Sequence, residues 1–216
     1  MVNVTCFATH QLFEIAKQAY QRVSSESEVK PHNDVLVAIL FSAATLESFM
    51  SDAVFMAKTW SHLHPKIEVF AQFIGELESR EVGSSLKIKY YMAHWIICGI
   101  PFDRGKKPYQ DFDFLVDLRN ALIHLKPDEL ASEKTGKLLS RLKSSNLISD
   151  SLVPIYDPNI PEQRAVWVHY VSTAKVAKWA CNTAASMIQE FWKNAPENDV
   201  QRFFQIQVCA RSYKSL

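Results

Sequence analysis

The run Val35–Leu46 (VLVAILFSAATL) constrains this chain more than any other stretch. Set on a helix, it is apolar nearly all round, interrupted only by Ser42 and Thr45. Such a helix has no face to give to water, so other elements must surround it. Its twelve residues, bounded by Asp34 and Glu47, are too few to cross a bilayer. A buried core helix is the expectation, capped by Asn33 or Asp34 and reaching about Met56 or beyond. What surrounds it should also be helical. Five glycines and nine prolines in 216 residues are few for a sandwich that turns every ten residues. The 48% hydrophobic content is enough to offset the entropy of folding.

Periodicity and punctuation predict the surrounding elements. Leu12, Ile15, Ala16, Ala19 and Tyr20 repeat at helical spacing, giving a helix over about Phe7–Val23. Pro65 suits the first turn of another, running to about Glu81. Gly83-Ser84-Ser85 starts a helix Leu86–Cys98 that Gly99 and Pro101 end. Asp111 or Phe112 opens the next, to about Lys126, and Pro127 stops it. Ser132–Leu142 makes a shorter helix, and Leu147–Tyr156 suits a short strand or hairpin. One long helix over about 161–193 and a last one over Asn198–Ser212 complete the chain. The expected fold class is therefore all-α: an antiparallel helical bundle in a single domain over 1–216. Its core is about 7–126 plus the long C-terminal helix, with 132–160 as an insertion or elaboration.

Met1–Ala8 has no basic segment followed by an apolar one, as an export signal requires. Cys6, Cys98, Cys181 and Cys209 are scattered and form no CxxC pair, so neither a disulfide framework nor a zinc knuckle is expected. A reduced, cytoplasmic protein without membrane contact is the expectation, with no cofactor and no metal. The 24 basic and 23 acidic side chains give a net charge of +1, which disfavours broad coating of nucleic acid. A local cationic site is still compatible with that balance.

The chemistry concentrates in Asp113–Pro127 (DFLVDLRNALIHLKP). On a helical wheel Phe114, Leu115, Leu118, Ala121, Leu122 and Leu125 share one core-facing arc. Asp113, Asp117, Asn120 and His124 line up on another, and Arg119 lies beyond Val116 and Ile123. A polar face interleaved with two aliphatics is what a docking surface looks like, so Val116 and Ile123 are expected between two copies of the chain. Arginine, an amide and histidine suffice to cleave RNA without a metal. The His124 imidazole can accept the 2′-hydroxyl proton. The Arg119 guanidinium can grip the scissile phosphate as negative charge develops. Asn120, one turn from His124, can bond the ring or the phosphate and hold the geometry. The products would be a 2′,3′-cyclic phosphate and a 5′-hydroxyl.

Arg119-Asn120-Ala121-Leu122-Ile123-His124 resembles the signature of the HEPN superfamily, an arginine followed by a polar residue and, after four to six positions, a histidine. Lys126-Pro127 and the apolar turn before the motif fit the same context. The resemblance implies a helical bundle that dimerises so that two motifs face one cleft. It implies catalytic roles for Arg119, Asn120 and His124, RNA as substrate, and work as a toxin or in antiviral defence beside an antitoxin or defence partner. Some members are binding modules without nuclease function, so a non-catalytic module for RNA, a nucleotide or a protein is the alternative. A bare helix end, with His124 favoured by the helix dipole, is the plainest reading.

Two accessory carboxylates and one loop complete the expectations. Glu47 sits in the most apolar helix and should find Arg119 or another base, because an unpaired charge there is costly. Asp117 could orient His124 or pair with Arg119. Arg104, Lys106 and Lys107 form the dense basic cluster just before the motif helix and could guide RNA toward the cleft. His62 and His64 lack a nearby carboxylate or cysteine to complete a metal site, and His94 and His169 read as core or interface histidines.

Overall fold

A computed structural model of the chain describes residues 8–25, 33–60, 65–79, 85–124, 133–148, 166–194 and 216. All regular structure among them is α-helical: α1 (Ala8–Ser24), α2 (Asn33–Trp60), α3 (Pro65–Ser79), α4 (Leu86–Cys98), α5 (Tyr109–Ile123), α6 (Glu133–Ser144), α7 (Val166–Val171) and α8 (Ala174–Asn194). The expected strand or hairpin at Leu147–Tyr156 falls mostly outside the described residues, as do the helix at Asn198–Ser212 and the His62–His64 pair.

α2 is the hub. It packs against α1, α3, α4, α5 and α8, which is how a helix without a polar face is kept from water. Val35, Ala38, Ile39, Leu46, Phe49, Met50, Ala53 and Ala57 are all buried. The apolar stretch is longer than Val35–Leu46 suggests. Residues Asn33–Thr59 have the length and composition of a membrane span, yet half of their most apolar window is covered by the fold. Ser42 and Thr45 do not break this interior, because each hydroxyl has a partner: Ser42 Oγ bonds Cys181 Sγ at 3.6 Å and Thr45 Oγ1 donates to Phe41 O at 2.7 Å.

Local chemistry sets the helix ends that position the site. Ser85 Oγ accepts from Ile88 N at the start of α4, and Gly99 ends it with φ +79°, a left-handed conformation that glycine adopts without a Cβ penalty. The ordered turn before α5 follows from Asp103, whose carboxylate accepts from Gly105 N at 2.9 Å. The single long helix expected over about 161–193 is instead two, α7 and α8. Ser172 Oγ bonds Val168 O at 2.7 Å, and Thr173 Oγ1 accepts from Val176 N at 3.3 Å, so Thr173 serves as the N-cap of α8.

An aromatic layer ties α2, α4, α5 and α8 together. Tyr90 is fully buried, packs 4.8 Å from Phe112 and 6.2 Å from Phe49, and donates its hydroxyl to Leu46 O at 3.0 Å. Phe49 meets Phe191 edge-on at 5.7 Å. The position of Leu46 matters because Glu47, its neighbour, reaches out of this core toward α5.

Candidate functional site

The motif occupies the C-terminal end of α5. Phe112, Phe114, Leu115, Val116 and Leu118 are buried, while Asn120, Ile123 and His124 are exposed. Arg119 is half-buried and reaches α2: its NH2 atom lies 3.0 Å from Glu47 Oε1 and 3.3 Å from Oε2. Its NH1 donates to Asn120 Oδ1 at 2.9 Å. Five residues of regular helix would place Arg119 and His124 about 140° apart around the axis. Asn120, bonded to the guanidinium, lies one turn before His124, and His124 leaves the helix as its C-cap with φ −101° and ψ 37°. Its backbone N–H still bonds Asn120 O at 2.9 Å. No side-chain hydrogen bond or ion pair to His124 occurs among the described residues, so the imidazole is presented to solvent.

Glu47 meets Arg119, although its side chain is 43% exposed, so burial alone does not require the pair. Asp117 does neither of the things expected of it. Its carboxylate is 2.7 Å from Lys87 Nζ on α4 and 3.8 Å from Arg141 NH1 on α6. Asp113 shares both cations, at 2.7 Å and 3.1 Å. Burial alone would raise the Asp113 carboxyl, but Lys87 and Arg141 outweigh it and hold it below the usual carboxylate range. Burial likewise acts to lower the Lys87 ammonium, and the two aspartates outweigh it and raise it. Arg141 also lies over the Phe114 ring at 4.6 Å and donates to Gln110 O at 2.9 Å. This lattice clamps α4, α5 and α6 together and leaves Asp117 to structure. Sequence reasoning missed Lys87: the Asp113/Asp117 pair at i,i+4 favours a cation between its members, but its spacing does not say which cation.

Val116 is not on an open face. It is only 8% exposed within the single chain, because α5 packs against α2, α4, α6 and α8 and its buried arc is wider than one stripe. It has little surface left for a second copy. Ile123, beside His124, is 50% exposed.

The basic loop lies at the other end of α5 from the motif. Tyr109 and Arg119 are separated by ten residues, a rise of about 15 Å. Its cations are also engaged: Arg104 stacks over the Tyr91 ring at 5.0 Å, Lys106 is 3.2 Å from Asp103, and Lys107 is 3.0 Å from Asp111. Within one chain the loop and the motif therefore do not line a common cleft.

Other reactive groups are built into the interior. His94 is 2% exposed, stacks on Phe102 at 3.8 Å, and its Nδ1–H donates to Ile100 O at 2.6 Å. Burial lowers its pKa from the ordinary histidine value. Burial also pushes the thiol of Cys98 up to about 12 and that of Cys181 up to about 11, far from thiolate nucleophiles at neutral pH. Among the described residues no group of three or more His, Cys, Asp or Glu side chains is placed to hold a metal ion. No family model, curated protein or solved structure matches the chain.

Proposed function

We propose that the protein is an HEPN-like, metal-independent endoribonuclease that works as a cytoplasmic homodimer, without membrane contact, in host defence or as a toxin. The observation that carries this reading is the presence in the last turns of one helix of a braced arginine, an amide bonded to it, and an exposed imidazole. His124 takes the proton from the 2′-hydroxyl of a bound ribose. The 2′-oxygen attacks the adjacent phosphorus, and the 5′-oxygen leaves with a proton taken from water. Arg119 faces the growing phosphorane charge, and Glu47 and Asn120 fix where its guanidinium points. Ile123, apolar and open beside His124, fits a subunit contact that would bring a second motif into the same cleft. An antitoxin or defence partner covering this end of α5 belongs to the same reading.

The test is cleavage of single-stranded RNA by the purified chain in EDTA, with the ends analysed for 2′,3′-cyclic phosphate. His124→Ala and Arg119→Ala are expected to lower the rate by about 10²-fold or more. Full activity in His124→Ala would remove the site assignment. Tight stoichiometric RNA binding without turnover would favour the non-catalytic module.

A further inference from the structure

α8 carries a second patterned surface at the opposite end of α5 from the motif. Lys175, Lys178, Trp179, Asn182, Thr183 and Ser186 follow at i, i+3, i+4, i+7, i+8 and i+11, so they lie on one side of the helix. They line a cavity of about 480 Å³, a size typical of small-molecule sites. The rest of α8 is committed to the core, with Val176, Ala177, Ala180, Ala184, Ile188 and Phe191 fully buried.

The donors along this stripe are graded. At the N-terminal end, Lys175 and Lys178 are exposed and have no ionic or hydrogen-bond partner among the described residues. They lie in the first turns of a 21-residue helix, where its dipole adds positive potential. Lys107 closes the same end from the α5 side, already paired with Asp111, so the cavity keeps an excess of positive charge. Further along, the donors are neutral. Asn182 Oδ1 accepts from Leu216 N at 2.7 Å, which leaves its Nδ2 to donate outward. Ser186 has no partner among the described residues. Thr183 spends its hydrogen on Trp179 O at 2.8 Å and offers an acceptor. Leu147 and the Trp179 ring supply an apolar wall. The Trp179 Nε1–H is buried without an acceptor among the described residues, a state that buried donors rarely occupy.

We infer that this cavity binds a small phosphorylated organic molecule, its phosphate between Lys175, Lys178 and Lys107 and its neutral hydroxyl-bearing part toward Asn182 and Ser186. From Lys175 to Ser186 the stripe spans eleven residues, about 16 Å, more than an inorganic anion can occupy. A phosphate joined to a polyol matches both the charge gradient and the length.

The experiment titrates the full chain with inorganic phosphate, pyrophosphate, ribose 5-phosphate and a short single-stranded RNA. Binding is followed by calorimetry and by the indole ¹H–¹⁵N resonance that Trp179→Phe removes. Ribose 5-phosphate is expected to bind one per chain, more tightly than inorganic phosphate, and to shift that resonance. Lys175→Gln/Lys178→Gln should weaken it about tenfold, without lowering the melting temperature, because both side chains are exposed. Arg119→Ala should leave it unchanged, which separates this cavity from the motif. The inference is overturned if no small phosphate saturates, if only RNA shifts the resonance, or if Arg119→Ala rather than the lysine variant abolishes binding.

Discussion

Replacing Glu47 with Gln tests what its carboxylate does to Arg119. At the observed 3.0 Å, two unit charges in water attract by about 1.4 kcal/mol. The side chains of Arg119 and Glu47 are 27% and 43% exposed, so solvent screening and the ordering of two long side chains offset much of this. The net contribution of such a pair is about 0.2–1 kcal/mol. For a chain of this length that corresponds to a fall in Tm of about 4 °C at most. The kinetic effect should be larger and should split. With the carboxylate gone, the guanidinium has one less negative competitor for phosphate, so KM falls. It has also lost its brace, so kcat falls about tenfold, or 1.4 kcal/mol of barrier. Initial rates on a fluorogenic single-stranded RNA, beside thermal unfolding of the same samples, read both quantities. Glu47→Gln/Arg119→Ala should be no slower than Arg119→Ala, because Glu47 acts only through that arginine. Multiplying losses in the double variant, or an unchanged kcat with a raised KM, would refute the positioning role.

Lys87→Met should leave Asp113 and Asp117 sharing Arg141 alone and lower stability by about 1 kcal/mol, since the groups are partly exposed. Urea unfolding should show that loss at pH 7. It should shrink below about pH 4, where the unfolded carboxylates protonate and, as pH falls further through the depressed native value, the Asp113 contribution disappears in wild type too. His94, held neutral by burial, binds its proton more readily in the unfolded chain. Wild-type stability should therefore fall as pH drops below about 6.5, and His94→Gln, though less stable at pH 7, should lack that component of the slope. A Tm against pH series for both proteins checks it.

The elements that sequence reveals best here are those that carry their own stop signals. α4 begins after Ser85 and ends at Gly99 as its caps require. The break between α7 and α8 is masked by the apolar periodicity on either side of it, although Ser172 and Thr173 make it locally through bonds to Val168 O and from Val176 N. Val116 was misplaced for a related reason. A wheel assumes one buried arc, whereas α5 has neighbours on several sides. The Glu47–Arg119 pair could be anticipated only as one of two placements, because a glutamate on an apolar helix can equally turn to solvent, and this one is 43% exposed. The partners of Asp117 could not, since Lys87 is thirty residues away and only the crossing of α4 and α5 brings it near.

The central place of α2 also has a consequence during synthesis. Its Ser42 meets Cys181 of α8 across 139 positions of sequence. At about 5–20 residues per second, a ribosome needs about 7–28 s to make the chain between them. For that interval α1 can shelter one flank of α2, while the flank destined for α8 has no mate. A nascent segment with the length and greasiness of a membrane span is then open to chaperones and to the insertion machinery alike. Whether this protein reaches its fold is thus partly a race between elongation and capture.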